Sequence, residues 1–180
     1  MIAGSIARRY AKALLSLGVD QKNYEQLGKE LGRLTALVEG SAELSGALGS
    51  PVFPLSERRA ILRDILRRLL VSKTLEHFVL LVLDHNRIGA LVAIAREYGT
   101  LADAEAGRVR ALVTSARPLR DAEALRIKAA LEKRTGKQVI MVRREDPALI
   151  GGVTVQIGDV VYDGSVRNQL ATIKEQLLAG

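Results

Sequence analysis

Asp159 and Asp163 stand four positions apart near the C-terminus, the nearest this chain comes to a carboxylate pair for acid–base work. Both sit at turn signals. Gly158-Asp159 has the form of a two-residue hairpin connection, glycine first as a type II′ turn prefers. Asp163-Gly164-Ser165 reads as punctuation, where aspartate bonds nearby backbone. Phosphate chemistry fares no better: Gly151-Gly152 and Gly158 do not make G-x-G-x-x-G, and Thr135-Gly136-Lys137 is followed by Gln138 instead of the hydroxyl residue of a phosphate loop. Neither G-x-S-x-G nor H-E-x-x-H occurs. The chain has no cysteine, which removes disulfides, thiolate ligands and thiol nucleophiles. His77 and His85 are too few for a histidine-rich metal site and read as surface or boundary residues. The expectation is no catalytic residue, no cofactor and no metal, hence not an enzyme.

The totals fit a folded chain of one or two small domains. Of its 180 residues 48% are hydrophobic and 26% charged, but only 3% are aromatic, so the core must be aliphatic. The longest apolar run, Phe78 to Leu83, is far short of the ~20 residues a membrane span needs. No secretory signal pattern follows Met1, and a cytoplasmic location is expected. The net charge of +7 is uneven: residues 1–106 carry 14 Lys/Arg and 12 Asp/Glu, residues 107–180 carry 13 and 8. A basic half opens the alternative of a nucleic-acid-binding protein. Its single aromatic, Tyr162, and its scattered cations argue against that and favour an acidic or mixed-charge protein partner.

From Gly4 to Ala106 only helical spacing is found. Ile6, Tyr10, Ala13, Leu14 and Leu17 mark a first helix ending at Gly18 to Asp20. Tyr24, Leu27, Leu31, Leu34 and Val38 mark a second, in which Gly28 and Gly32 signal close helix approach. Ser41 to Leu48 is a short third, and Pro51 to Pro54 breaks the pattern. Ser56 is read as the cap of a fourth, with Ile61, Leu62, Ile65, Leu66, Leu69 and Leu70 on one face and Arg58, Arg59, Arg63 and Arg67 largely opposite. A fifth spans Thr74 to Asn86 and a sixth runs from Gly89 through Tyr98. Short connections make this an antiparallel six-helix bundle.

After Gly107 strands appear. Val109–Ser115 is one; a helix with Asp121 as N-cap runs to Arg134 and closes at Thr135-Gly136; Val139–Val142 is the next strand. Asp146-Pro147 opens a turn, and Gly151-Gly152 lets the backbone bend or approach another segment. Val153, Val155 and Ile157 alternate as a strand, and Val160–Tyr162 returns. A last helix, Val166 to Leu178, carries Val166, Leu170, Ile173 and Leu177 as a stripe. The expected fold is α+β with two domains: a six-helix bundle over 1–106 and a small α/β domain over 107–180.

Two helices are more apolar than one core requires. Apolar residues of the first sweep over half its circumference. On the fifth, Leu81 projects among Lys73, His77 and Asp84, away from Leu75, Phe78, Val79, Val82 and Leu83. Such a surplus marks either a surface that receives a partner helix or a helix buried on both sides. The edge Ile6–Tyr10–Ala13–Leu17 is the expected docking edge, Tyr10 burying its ring with its hydroxyl in water. Ala3, Ala7 and Ala11 suit close packing inside.

Several stretches together resemble the delta subunit of the rotary proton-translocating ATP synthase, whose mitochondrial counterpart is the oligomycin-sensitivity-conferring protein. They are Ala7-Arg8-Arg9-Tyr10-Ala11-Lys12-Ala13-Leu14, the Pro51 to Arg59 loop and helix, Asn86-Arg87-Ile88-Gly89-Ala90-Leu91, Leu149-Ile150-Gly151-Gly152, and Asp163-Gly164-Ser165-Val166-Arg167. The resemblance covers essentially the whole chain. It implies a non-catalytic stator subunit that links the catalytic head to the peripheral stalk and couples proton translocation to ATP synthesis. The implied partners are the N-terminal helix of an alpha subunit and the C-terminal region of the b subunits, with no nucleic acid. The first partner would meet Ile6, Tyr10, Ala13, Leu14 and Leu17 on the first helix and His77, Leu81 and Asp84 on the fifth. Gly151, Gly152, Asp163, Gly164, Ser165 and Arg167 would be the turn residues of the stalk-binding domain. Many members carry a second basic residue after Ser-Val-Arg; this chain has Asn168. The resemblance and the absence of a transit segment imply peripheral association with the cytoplasmic face of a bacterial membrane.

Overall fold

A computed structural model of the chain describes residues 2–50, 52–168 and 170, with backbone only at 2 and 3. Pro51, Ile173 and Leu177 therefore lie outside the described residues, as does most of the expected last helix. The fold is α+β, and the chain divides into two compact units, 1–102 and 103–180.

The first unit contains α1 (Ile2–Asp20), α2 (Tyr24–Gly40), α3 (Ala42–Gly49), α4 (Leu55–Arg68), α5 (Lys73–Asp84), a 3₁₀ turn (Ile88–Ala90) and most of α6 (Leu91–Glu105). Ala7, Ala11 and Leu14 form the buried stripe of α1, and Leu27, Leu31, Leu34 and Val38 that of α2, at helical spacing in both. α1 packs on α2, α2 on α3 and α5, and α4 on both α3 and α5. The two glycines of α2 differ. A Cβ on Gly28 would lie 3.2 Å from the Tyr98 ring of α6, whereas Gly32 faces open space. Tyr98 fills that approach and donates its hydroxyl to the Tyr24 carbonyl at 2.7 Å. Burial pushes its pKa up to about 12.

The fourth helix departs from the expectation in three ways. It starts at Leu55 after Pro54, so Ser56 is inside it and is not its cap. Arg58 is buried, not opposite the core: it lies one turn before Leu62 on the stripe Arg58, Leu62, Leu66. Its stem packs inside while Nη1 donates to the Leu48 carbonyl at 3.3 Å and to Asn86 Oδ1 at 3.1 Å. Leu70 lies past the helix end with φ 51 and is 84% exposed. The fifth helix stops at Asp84 because Asn86 takes the left-handed conformation, φ 54. The N–H groups of Asn86 and Arg87 then bond back to Leu83 and Val82, the Schellman termination.

The second unit contains β1 (Arg108–Ser115), α7 (Asp121–Thr135), β2 (Gln138–Glu145), a 3₁₀ turn (Pro147–Leu149), β3 (Gly152–Ile157) and β4 (Val160–Ser165). The sheet order is β2-β1-β3-β4. β1 pairs parallel with β2 and antiparallel with β3, and β3 pairs antiparallel with β4. The parallel pair requires a crossover, which α7 supplies. Ala111, Val113, Val139 and Val155 face Leu131 and Ile127 of α7. On the other face Val142, Leu112, Gln156 and Val161 align across all four strands.

The second unit begins at Asp103, not at Gly107. Asp103 is nearly buried and its carboxylate pairs with Arg110 and Arg108 at the start of β1, which ties the end of α6 to the sheet. Asp121 is the first residue of α7 and not its cap. Glu123 instead accepts from the Arg120 backbone N–H at 3.1 Å and its guanidinium at 2.6 Å, and Asp121 pairs with Arg143.

Candidate partner-docking surfaces

Within the first unit, α1 and α5 are joined at three points. Gln21 Oε1, just past α1, accepts from Thr74 Oγ1 at 2.9 Å. The Tyr10 ring meets Phe78 edge-on, centroids 6.1 Å apart. Arg87, just past α5, donates to the Tyr10 hydroxyl at 3.0 Å, with its guanidinium carbon 5.5 Å from the ring centre. The two helices therefore run antiparallel, and Tyr10 is held on both its ring and its oxygen. Its hydroxyl meets Arg87, where the sequence predicts water.

Around that junction the expected residues sort by exposure. Ile6 and Tyr10 are half-buried; Ala13, Leu17, His77 and Leu81 are exposed, Leu17 and Leu81 each at 46%. Leu14 is 0% exposed and is corrected out of the docking set: its position continues the Ala7–Ala11 stripe into the core. Asp84 is exposed, but its carboxylate is already engaged by Arg59 Nε at 2.7 Å. That hydrogen bond holds its pKa below the ordinary range. Phe78 and Arg87 complete the junction with Tyr10, and sequence reasoning misses both contacts. Their distance from Tyr10 in sequence hides the contact, and only Phe78's place on the apolar stripe hints at it.

In the second unit Gly151, Gly152, Asp163, Gly164 and Ser165 come together. Gly152 has φ +79, and a Cβ there would lie 2.3 Å from the Gly164 carbonyl oxygen; a Cβ on Gly151 would meet Val166 at 3.1 Å. The paired glycines thus allow strand approach, as their sequence implies. Asp163, Gly164 and Ser165 are not a turn. They extend β4 opposite Thr154, Val153 and Gly152, since Gly164 lets the backbones pair where a side chain would crowd Val153. Asp163 Oδ1 accepts the Ser165 N–H at 2.9 Å, which lowers its pKa. Ser165 Oγ accepts the Asn168 N–H at 3.2 Å, capping the helical turn that begins at Val166. Arg167 is exposed. Gly158, φ +58, with no positive φ at Asp159, makes the hairpin connection of type II′.

Nothing in either arrangement aligns groups for catalysis. Asp163 is spent on backbone and Asp159 lies on the far turn. Among the described residues no group of three His, Asp or Glu is placed to hold a metal, and no helix is long and apolar enough to cross a membrane.

A model of the ATP synthase delta (OSCP) subunit family matches residues 6–177. The chain belongs to that family. It is 45% identical to the ATP synthase subunit delta of Geobacter metallireducens and 42% to that of Trichlorobacter lovleyi, each over the full length of both chains. It is 45% identical to that of Anaeromyxobacter sp. strain Fw109-5 over 98% of this chain and 99% of the relative. A chain in the cryo-EM structure of the Toxoplasma gondii mitochondrial ATP synthase hexamer superposes with a TM-score of 0.74 at 21% identity, covering 97% of this chain and 98% of that one. At that identity the likeness speaks for the fold. As a member of the delta family the protein is a non-catalytic stator component of the proton-transporting ATP synthase, linking catalytic head and peripheral stalk. These comparisons give the nucleic-acid alternative no support.

Proposed function

We propose that the first unit, as a six-helix bundle, caps the catalytic head by receiving the N-terminal helix of an alpha subunit along the α1–α5 edge. The second unit holds the C-terminal region of the b subunits, placing the protein peripherally at the cytoplasmic face of a bacterial membrane. The observation that carries the first half is the pair of exposed leucines, Leu17 on α1 and Leu81 on α5, on helices joined by the Tyr10–Phe78 contact. Exposed leucines on adjoining helices, beside the small Ala13, fit the apolar face of a third helix.

The experiment is a calorimetric titration of the full chain with a peptide of the alpha N-terminus. Saturable binding to the wild-type chain, lost in Ala13→Glu and Leu81→Glu with folding intact, supports the reading. Absence of binding, or binding indifferent to both charges, removes it.

A further inference from the structure

Arg58 is a cation in a core position. It lies on the buried stripe of α4, only 8% exposed, and among the described residues it makes no ion pair. Its Nε is buried without a hydrogen-bond partner. A buried guanidinium with no carboxylate beside it costs stability that an aliphatic side chain of similar length would not. Packing alone therefore does not account for an arginine here.

Its contacts point elsewhere. Nη1 reaches the Leu48 carbonyl in the last turn of α3 and the side-chain oxygen of Asn86, two residues past α5. Both lie at helix C-terminal ends, where a cation is favoured. Asn86 is the left-handed residue on which α5 ends. Its neighbour Arg87 leaves that turn with its backbone N–H on the Val82 carbonyl at 2.9 Å and its guanidinium on the Tyr10 hydroxyl of α1. One peptide bond separates the residue Arg58 holds from the residue that holds Tyr10.

We propose that Arg58 is a positioning residue for the α1–α5 edge. It fixes Asn86 from the side of α4, Asn86 aims Arg87, and Arg87 keeps the Tyr10 ring against Phe78 before any partner arrives. A helix landing on that edge then meets Tyr10 already ordered, which strengthens binding without a new contact. Arg58, being buried, touches no partner itself. The proposal rests on the reading of this edge as the seat of the alpha N-terminal helix.

The test titrates the full chain with a peptide of the alpha N-terminus, as wild type, Arg58→Met and Asn86→Gly. Methionine keeps a buried stem without donors, and glycine keeps the left-handed turn without the acceptor. Each should weaken binding about three- to tenfold, the penalty of ordering one freed side chain, while Tm holds within a few degrees. The double variant should weaken binding no more than either single one. In a Tyr10→Phe background, where Arg87 has lost its acceptor, Arg58→Met should change affinity no further. A merely structural role would weaken binding equally in both backgrounds. If Arg58→Met fails to fold, Asn86→Gly, alone and in the Tyr10→Phe background, decides by the same criteria. Wild-type affinity in the single variants, or an effect undiminished in Tyr10→Phe, overturns the relay and leaves the docking edge standing. No binding by the wild-type chain removes the docking edge, and this proposal with it.

Discussion

The carboxylate of Glu30 on α2 accepts two hydrogen bonds from Ser72, 42 positions later: the backbone N–H at 2.9 Å and the hydroxyl at 2.7 Å. Ser72 in turn caps α5 by accepting the Leu75 N–H. Glu30 is buried, and a negative group there also favours the positive end of α5. The start of α5 is thus fixed by a side chain from another helix.

Burial by itself would raise the Glu30 pKa. The bonds from Ser72 and Gln26 and the charge of Arg33 outweigh it, leaving the folded value below 4.5. A lowered carboxylate pKa contributes stability above the unfolded value and loses it as pH falls through the folded one. Glu30→Gln should therefore flatten the acid limb of the stability curve below about pH 4.5, and should cost about 1–3 kcal/mol near neutrality. Urea melts across pH check both.

Tyr98 has the opposite sign. Its folded pKa, about 12, lies above the ordinary 10.0, so the neutral phenol stabilises the fold below pH 10 and that contribution fades as pH rises towards 12. Ultraviolet titration should show one tyrosine ionising late or only with unfolding, a feature absent in Tyr98→Phe.

Tyr10→Phe keeps the ring on Phe78 and removes the acceptor for Arg87. The expected cost is about 0.5–1.5 kcal/mol. In a double-mutant cycle with Arg87→Ala most of that cost should appear as coupling.

Leu14 and Leu81 should separate folding from docking. Leu14→Ala empties a fully buried site and should cost about 2–5 kcal/mol. Leu81→Glu alters an exposed site and should move stability by no more than about 0.5 kcal/mol. Chemical denaturation of the two variants measures the contrast.

Gly152→Ala should destabilise the second unit by more than about 2 kcal/mol, since a Cβ would overlap the Gly164 carbonyl as well as strain the backbone. Gly158→Ala meets open space and should cost only the backbone term, about 1–2 kcal/mol. Hydrogen exchange confined to the sheet would localise the effect.

Where local pattern and tertiary contact agree, the sequence is a good guide. The stripes of α1 and α2, the II′ connection and the approach at Gly152 are all legible because each follows from spacing or from a missing Cβ. Arg58 is illegible because its burial depends on Leu48 and Asn86, acceptors that only the fold brings near. The Asp163–Ser165 segment looks like a turn because Asp, Gly and Ser favour turns; register with Gly152 overrides that preference. Leu14 sits on both the apolar edge and the core stripe, and only packing assigns it.

The position of the strands has a mechanical consequence. β4 is an edge strand, held by the single ladder to β3, whereas β1 lies between β2 and β3. A pull delivered through β4 can peel its hydrogen bonds in turn. The same pull delivered through β1 must shear two ladders together. A partner that grips beside β1 and α7 therefore loads the stiffest part of this unit.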